Sequence, residues 1–212
     1  MNTDQLIAIL SDDLAPVRRG MVARWLSAAL TAGLALAVLA LLFWLHPRHD
    51  LAAAVTSGPF WMKFVYTAVL MLIGLVVLER QARAGADSQK AILALGVPVV
   101  ALIVLAAVEL SAPNADSAAL VMGHSWTACP VRIVELGLPF LAVLLLALRQ
   151  LAPTRLTLAG AAAGLVAGAG AATIYGFHCN EVGAPFLLIW YTLGIAIVAG
   201  FGAFLGRWAL RW

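Results

Sequence analysis

The chain alternates between long apolar runs and short polar breaks from residue 25 almost to its end. A helix rises about 1.5 Å per residue and the hydrocarbon layer of a bilayer is about 30 Å thick, so a spanning helix needs about 20 mostly apolar residues. Six runs meet this requirement, at about residues 25–45, 60–78, 91–110, 132–148, 156–175 and 184–206. The pattern predicts an all-α polytopic membrane protein, a bundle of six transmembrane helices.

The composition agrees with this prediction. The chain is 64% hydrophobic and 11% charged, whereas soluble domains are about 45–50% apolar and about 25% charged. We do not expect a signal peptide in front of a secreted domain, because the apolar region of a signal peptide has only about 7–15 residues. The first run here is longer, and apolar runs recur along the whole chain.

The distribution of Lys and Arg predicts the orientation of the bundle. Alternate connections and both terminal flanks carry ten of these residues, namely Arg18, Arg19, Arg24, Arg80, Arg83, Lys90, Arg149, Arg155, Arg207 and Arg211. The other face carries three, Arg48, Lys63 and Arg132. Basic connections remain in the cytoplasm, so we expect both termini to be cytoplasmic.

The predicted outer face holds both cysteines and all four histidines of the chain, namely His46, His49, His124, Cys129, His178 and Cys179. Thiolate and imidazole together suit a soft or borderline metal. Three interpretations of Cys129 and Cys179 stay open: a structural disulfide, a switchable redox pair, and a metal site with His178 or His124. Each requires the second and third outer loops to meet. We interpret His46 and His49 as solvated loop residues.

The N-terminal segment has a different pattern. Residues 3–15 predict a short amphipathic helix that ends before Pro16, and its apolar face comprises Leu6, Ile7, Leu10 and Leu14. About thirteen residues form a marginal helix in water, so we expect it to fold against another surface. Because its charges before Arg18 are acidic, a groove on a partner protein fits better than the membrane surface or the chain's own loops.

Small residues recur on two of the spans. Gly160, Gly164 and Gly168 are spaced by four, and Gly202 and Gly206 repeat the spacing. Such faces allow helix backbones to approach closely in lipid. They predict packing within the bundle, with an oligomer through these faces as the alternative. Separately, a proline at position 98 predicts a kink in the third span.

Enzyme chemistry finds little support in the sequence. The 123–125 segment, Gly-His-Ser, is not the Gly-x-Ser-x-Gly turn of a hydrolase, and the chain has no Cys-x-x-Cys pair. We therefore expect no enzyme. A small membrane transporter or metal exporter is the alternative, although such proteins place polar groups near the membrane midplane and the span centres here are apolar.

Three segments resemble those of a known family. They are the Thr-Asp-Gln-Leu-Ile start at 3–7 with Leu10 and Ala-Pro-Val at 15–17, the Trp-Thr-Ala-Cys-Pro segment at 126–130, and Phe-His-Cys at 177–179. With six spans between and around them, the chain resembles the NrsF family of bacterial membrane anti-sigma factors over essentially its whole length.

The resemblance implies a role for each part. Residues 1–20 would be a cytoplasmic segment that binds an extracytoplasmic-function sigma factor through Leu6, Ile7, Leu10 and Leu14. Residues 21–212 would be a sensor domain in the bacterial inner membrane. In it, periplasmic Cys129 and Cys179 respond to heavy metal or oxidant. Neither an obligatory cofactor nor direct contact with nucleic acid is implied, although the pair would bind heavy metal transiently.

Overall fold

The computed structural model describes residues 3, 5, 7, 20–83, 85–113 and 115–211. Six helices in it are long and apolar enough to cross a membrane, which confirms the predicted fold class. They are α1 (Met21–Leu45), α2 (Gly58–Gln81), α3 (Gln89–Leu110), α4 (Ala128–Arg149), α5 (Leu156–Tyr175) and α6 (Ala184–Ala209). Two short helices, Leu51–Ala54 and Ser117–Met122, lie in the connections, and the described ranges contain no strand.

Five of the six helices extend beyond the apolar runs that predicted them, by as many as four residues at the starts of α1 and α4. Helix α4 begins at Ala128, four residues before the predicted span. A proline is tolerated in the first turn because the N–H groups there have no partner within the helix, so Pro130 does not delay the start. Cys129, which we predicted to lie in a loop, therefore belongs to the first turn of α4.

Three helices contain irregular turns. In α3 the α-helical hydrogen bonding stops after Ala94 and resumes at Gly96, because Pro98 has no N–H for the carbonyl of Ala94. The break in hydrogen bonding lies one turn before Pro98, in the span for which we predicted a kink. In contrast, the π-helical turns Leu41–Leu45, at the end of α1, and Leu187–Tyr191, inside α6, had no sequence signal. Such turns often occur at functional sites.

Helix α5 occupies the centre of the bundle. In an apolar stretch of 18 residues of α5, 72% of the residues are buried, whereas in the corresponding stretch of α3 only 22% are buried. It packs against α2, α4 and α6, while α1 packs mainly on α4 and α3 lies at the periphery. Large apolar side chains such as Phe43, Leu93 and Leu146 remain exposed on the outside, as expected for helices that face lipid.

The contact between α5 and α6 is made by backbone atoms. A Cβ on Gly160 would collide with the carbonyl of Gly202 and lie 2.8 Å from the Cα of Gly206. A Cβ on Gly164 would likewise lie 2.7 Å from the Cα of Ala199. Both glycine faces are therefore buried inside one chain, as predicted, and they give no evidence for an oligomer.

Candidate functional site

Both cysteines lie at one end of the bundle, among the connections 46–57, 111–127 and 176–183, which we name the cysteine end. Cys129 is in the first turn of α4 and Cys179 is in the connection between α5 and α6. The two sulfurs are 3.5 Å apart, both thiols are free and both residues are buried. The structure thus brings together the two segments that every interpretation of the pair required to meet.

Cys129 is held among hydroxyl groups. Its Sγ lies 3.3 Å from the hydroxyl of Tyr175 and 3.4 Å from Oγ of Ser125. Tyr175 is the last residue of α5, and Ser125 precedes α4 by one turn. The sulfur of Cys129 is 0% exposed and is therefore fully enclosed by these groups and by Cys179.

Cys179 has a more polar and more positive environment. A hydrogen bond from Cys129 lowers the pKa of the Cys179 thiol to about 6, aided by the charge of Lys63 and opposed by burial. Tyr191, at the end of the π-helical turn of α6, is fully buried beside this sulfur. Among the described residues its hydroxyl makes no hydrogen bond, so it can donate to a thiolate at Cys179. These groups favour the thiolate of Cys179 over its thiol.

Lys63 lies inside the bundle, whereas its position in the sequence had suggested only a basic residue on the outer face. It is 2% exposed, and its Nζ donates to the carbonyl oxygen of Cys179 at 2.8 Å. Within the described part of the chain no carboxylate forms an ion pair with it. Burying an ammonium without a carboxylate costs free energy. The carbonyl oxygen and the sulfur of Cys179 offset this cost for Lys63.

Glu181 joins the two cysteine-bearing segments. Its Oε1 accepts hydrogen bonds from the backbone N–H groups of His124 at 2.7 Å and Ser125 at 3.0 Å, and from Oγ of Ser125 at 3.0 Å. Gly123 makes room for this carboxylate, since its φ is 54° and a Cβ there would lie 2.5 Å from Oε2. The segment before Cys129 is thereby fixed to the segment after Cys179.

The connection after α1 is tied to the same place. Arg48 donates from its backbone N–H to the carbonyl of Phe177 at 3.1 Å and from its guanidinium to the carbonyl of Cys179 at 3.4 Å. The guanidinium also donates two hydrogen bonds of 2.6 Å to the carboxylate of Asp50, which orient the guanidinium and hold the pKa of that carboxyl below its usual range. The cysteine segment is therefore braced by α1 as well as by α4.

A cavity of about 450 Å³ opens above the pair. Its lining includes all four histidines and Cys179 but not Cys129, and comprises Leu45, His46, Pro47, Arg48, His49, His124, Ser125, Tyr175, His178, Cys179, Asn180 and Glu181. His46 and His49, which we interpreted as solvated loop residues, thus belong to the walls of this cavity.

The metal interpretation can be compared with this geometry. In the described part of the chain, no three His, Cys, Asp or Glu side chains are close enough together to hold an ion. His178 directs Nδ1 at the carbonyl of His46, 2.8 Å away. Two thiolates on one tetrahedral metal are about 3.8 Å apart, so the 3.5 Å between the sulfurs fits a metal bound by Cys129 and Cys179. His124 and His178 are not arranged as further ligands.

The roles of four residues of the site were not identified from the sequence, namely Lys63, Tyr175, Tyr191 and Glu181, the last of which joins the two cysteine-bearing segments. For Lys63 the signal was present, because an ionisable residue within an apolar span indicates a functional position by default. No comparable signal marked the two tyrosines, since aromatic residues near span ends are common as interfacial anchors.

The predicted sigma contacts can be followed only in part. Leu6, Leu10 and Leu14 lie outside the described residues. Ile7 is described, is helical and is 58% exposed, which leaves its side chain available to a partner.

Comparison with known proteins connects this arrangement to a family. The family model NrsF, described as negative regulator of sigma F, matches residues 10–212. The anti-sigma-F factor NrsF of Caulobacter vibrioides is 40% identical over the full length of both chains. The probable anti-sigma-F factor NrsF of Azospira oryzae is 39% identical, again over both full lengths. No solved structure matches. The chain therefore belongs to the NrsF family of anti-sigma factors.

Proposed function

We propose that this protein holds an extracytoplasmic-function sigma factor at the membrane through residues 1–20 and releases it when heavy metal or oxidant acts on Cys129 and Cys179. The observation that carries the proposal is the pair itself, two free thiols 3.5 Å apart beneath a cavity whose lining includes all four histidines. Family membership supports a sigma factor as the partner.

Helix α1 is the element that links the pair to the N-terminal segment. Its first residue, Met21, follows that segment directly, and its last residue, Leu45, lines the cavity above Cys179. Beyond Leu45, Arg48 and His46 hydrogen-bond to the 177–179 segment. A change at Cys179 therefore acts on the end of α1 through a few short contacts.

Cys129 reaches α1 by a second route, through α4. Near the cysteine end, the guanidinium of Arg132 lies 4.6 Å from the ring centre of Trp44. Two turns further along α4, the ring of Phe140 fills the space beside Gly33, which has no room for a Cβ. Any rotation or tilt of α4 that follows reaction at Cys129 is thereby transferred to α1.

The mechanism follows from these two routes. Closing a disulfide, or binding one metal between the sulfurs, changes their separation and removes the thiol hydrogen bond that now joins them. The signal must bind or react with one arrangement of the bundle in preference to the other, since only a difference in free energy shifts the population. We propose that the preferred arrangement moves α1 and exposes less of the sigma-binding face.

The orientation of the bundle in the membrane is part of the same proposal. The basic connections, which include Arg80, Arg83 and Arg149, lie at the end of the bundle opposite the cysteines. The charge rule places that end in the cytoplasm. A cytoplasmic N-terminal segment and a periplasmic thiol pair in the inner membrane follow, which is the arrangement that a sensor of external stress needs.

Co-purification from the native membrane tests the proposal. The tagged full-length protein is expected to bring down a sigma factor, and the Leu6→Asp/Leu10→Asp variant is not. Ala8→Asp is the matched control, since position 8 lies on the opposite face of the predicted helix. Cadmium or a thiol oxidant should then release the sigma factor from the parent protein but not from Cys129→Ser/Cys179→Ser.

Each outcome is informative. If the sigma factor stays bound to Leu6→Asp/Leu10→Asp, the contact assignment is wrong while the regulator role stands. Release from the double serine variant would remove the thiols from the mechanism. If no sigma factor accompanies the parent protein, the proposed function fails.

The transporter alternative gains no support from the described residues. The cavity above the thiols lies at one end of the bundle, and the buried middle of α5 consists of alanine, glycine and valine.

A further inference from the structure

We propose that the two cysteines have unequal roles, with Cys179 the thiol that reacts first, Cys129 the thiol that resolves the product, and Lys63 the buried counter-charge that sets this order. The inference deepens the proposed function because it names the reacting atom of the same pair. Nothing in the sequence distinguishes the two cysteines, so the order rests on their surroundings.

Access to solvent is the first asymmetry. Cys179 contributes to the lining of the 450 Å³ cavity at the cysteine end, whereas Cys129 does not. Exposure follows the same order, at 3% for Cys179 and 0% for Cys129. A small reagent that enters the cavity thus reaches Cys179 before Cys129.

Charge is the second asymmetry. The ammonium of Lys63 is anchored 2.8 Å from the carbonyl oxygen of Cys179, and the guanidinium of Arg48 lies 3.4 Å from the same oxygen. Cys129 instead has the uncharged hydroxyls of Ser125 and Tyr175 as neighbours. The titratable or charged groups that face Cys179 are Lys63, Arg48, Cys129, Tyr175, Tyr191 and Glu181. The nearest cations among them favour a thiolate at this position, and the thiolate is the reactive form.

Lys63 has the features of a positioning residue. Its side chain is 2% exposed and, in the described part of the molecule, is joined to no carboxylate. A lysine kept inside a membrane protein at this cost pairs with backbone carbonyls, as Lys63 does with that of Cys179, or with an anion. A thiolate at Cys179 supplies that anion, with the thiol of Cys129 donating to it over 3.5 Å.

For a hydroperoxide as oxidant, the steps balance as follows. The Cys179 thiolate attacks the terminal oxygen, an S–O bond forms, the O–O bond breaks, and the leaving alkoxide or hydroxide takes a proton from water. Cys129 then attacks the sulfur of the sulfenic acid, so that the S–S bond forms and water leaves with the thiol proton. Two electrons pass from the two sulfurs to the hydroperoxide.

The experiment measures alkylation of the full-length protein in nanodiscs by limiting iodoacetamide, with each cysteine quantified by peptide mass spectrometry. In the parent protein Cys179 should be labelled before Cys129, with a rate that rises through about pH 6 and then levels. Lys63→Met should slow labelling of Cys179 at pH 7 by at least about tenfold and approach the parent rate near pH 9. Lys63→Arg should restore the parent profile, and Lys90→Met, on the exposed surface of α3, should not change it.

The parent protein alone decides the order, so the test does not depend on whether a variant folds. Labelling of Cys129 before Cys179 would overturn the inference, as would a Lys63→Met profile identical to that of the parent. Because no sigma factor takes part in the labelling, either failure leaves the proposed function standing. Loss of sigma binding, conversely, would not alter the labelling order.

Discussion

Gly33 of α1 lies against the ring of Phe140 of α4 so closely that a Cβ on the glycine would overlap the ring. Phe140 is 0% exposed and fills the space that the missing side chain leaves. Two helices that are distant in sequence are thus fitted to each other at one point. This contact lies on the proposed path from Cys129 to the N-terminal segment.

The fit of Gly33 and Phe140 predicts a non-additive pair of substitutions. Gly33→Ala should destabilise the bundle by about 1–3 kcal/mol through overpacking, and Phe140→Ala by about 3–5 kcal/mol through a cavity. The double variant should lose less than the sum, because the shortened ring makes room for the methyl group. Unfolding in mixed micelles measures the three values, and strict additivity would show that the two residues do not share this space.

The glycine contact between α5 and α6 predicts a position-specific effect on the same helix. Gly202→Val should disrupt the bundle because its Cβ would meet the carbonyl of Gly160. Gly200→Val is the matched control, since nothing lies within 4 Å of a Cβ there. Thermal unfolding of the purified variants should separate them clearly. If Gly200→Val were as damaging as Gly202→Val, loss of helix flexibility rather than backbone contact would be the cause.

The Glu181 clamp predicts a link between a carboxylate and the enclosure of Cys129. Glu181→Ala removes three hydrogen bonds to His124 and Ser125, and should cost about 1–3 kcal/mol. Glu181→Gln keeps an oxygen in place and should cost less. Alkylation of Cys129 should accelerate in the alanine variant as its cover loosens. An unchanged rate would mean that the enclosure does not depend on this clamp.

The lowered pKa of Cys179 predicts a dependence of stability on pH. Because its pKa is about 6 in the folded protein and its ordinary value is 9.0, the stabilisation is complete above about pH 9 and is lost as the pH falls toward 6. The unfolding temperature of the parent protein should therefore decline over this range relative to Cys179→Ser, and the difference should be constant below it. Parallel curves from pH 9 to 6 would contradict a stabilised thiolate.

The sequence was sufficient for the six spans because each one needs about 20 apolar residues, a requirement that few other structures satisfy. The effects of Pro98 and of the glycines of α5 and α6 could also be predicted, since each residue acts locally, on its own helix or on the helix packed against it. The start of α4 could not be predicted in this way, because a hydropathy pattern locates the apolar part of a helix and not its first helical residue.

The geometry of the cysteine site could not be predicted, because it depends on contacts between segments that are distant in the sequence. That the thiols of Cys129 and Cys179 meet follows from how α4 and α5 pack, and no pattern in either segment specifies it. The same holds for Lys63, whose partner is a carbonyl 116 residues away, and for Tyr191, which the π-helical turn of α6 places beside Cys179. Such neighbours are set by tertiary structure alone.

The backbone contact between α5 and α6 limits how the molecule can move. Side chains that interlock can change rotamer and let two helices shift past each other, but Gly160 and Gly202 have no rotamers to change. We therefore expect the two helices to move together as one body. Motion that begins at the thiols must then travel around this body, through α4 and α1, and not across the centre of the bundle.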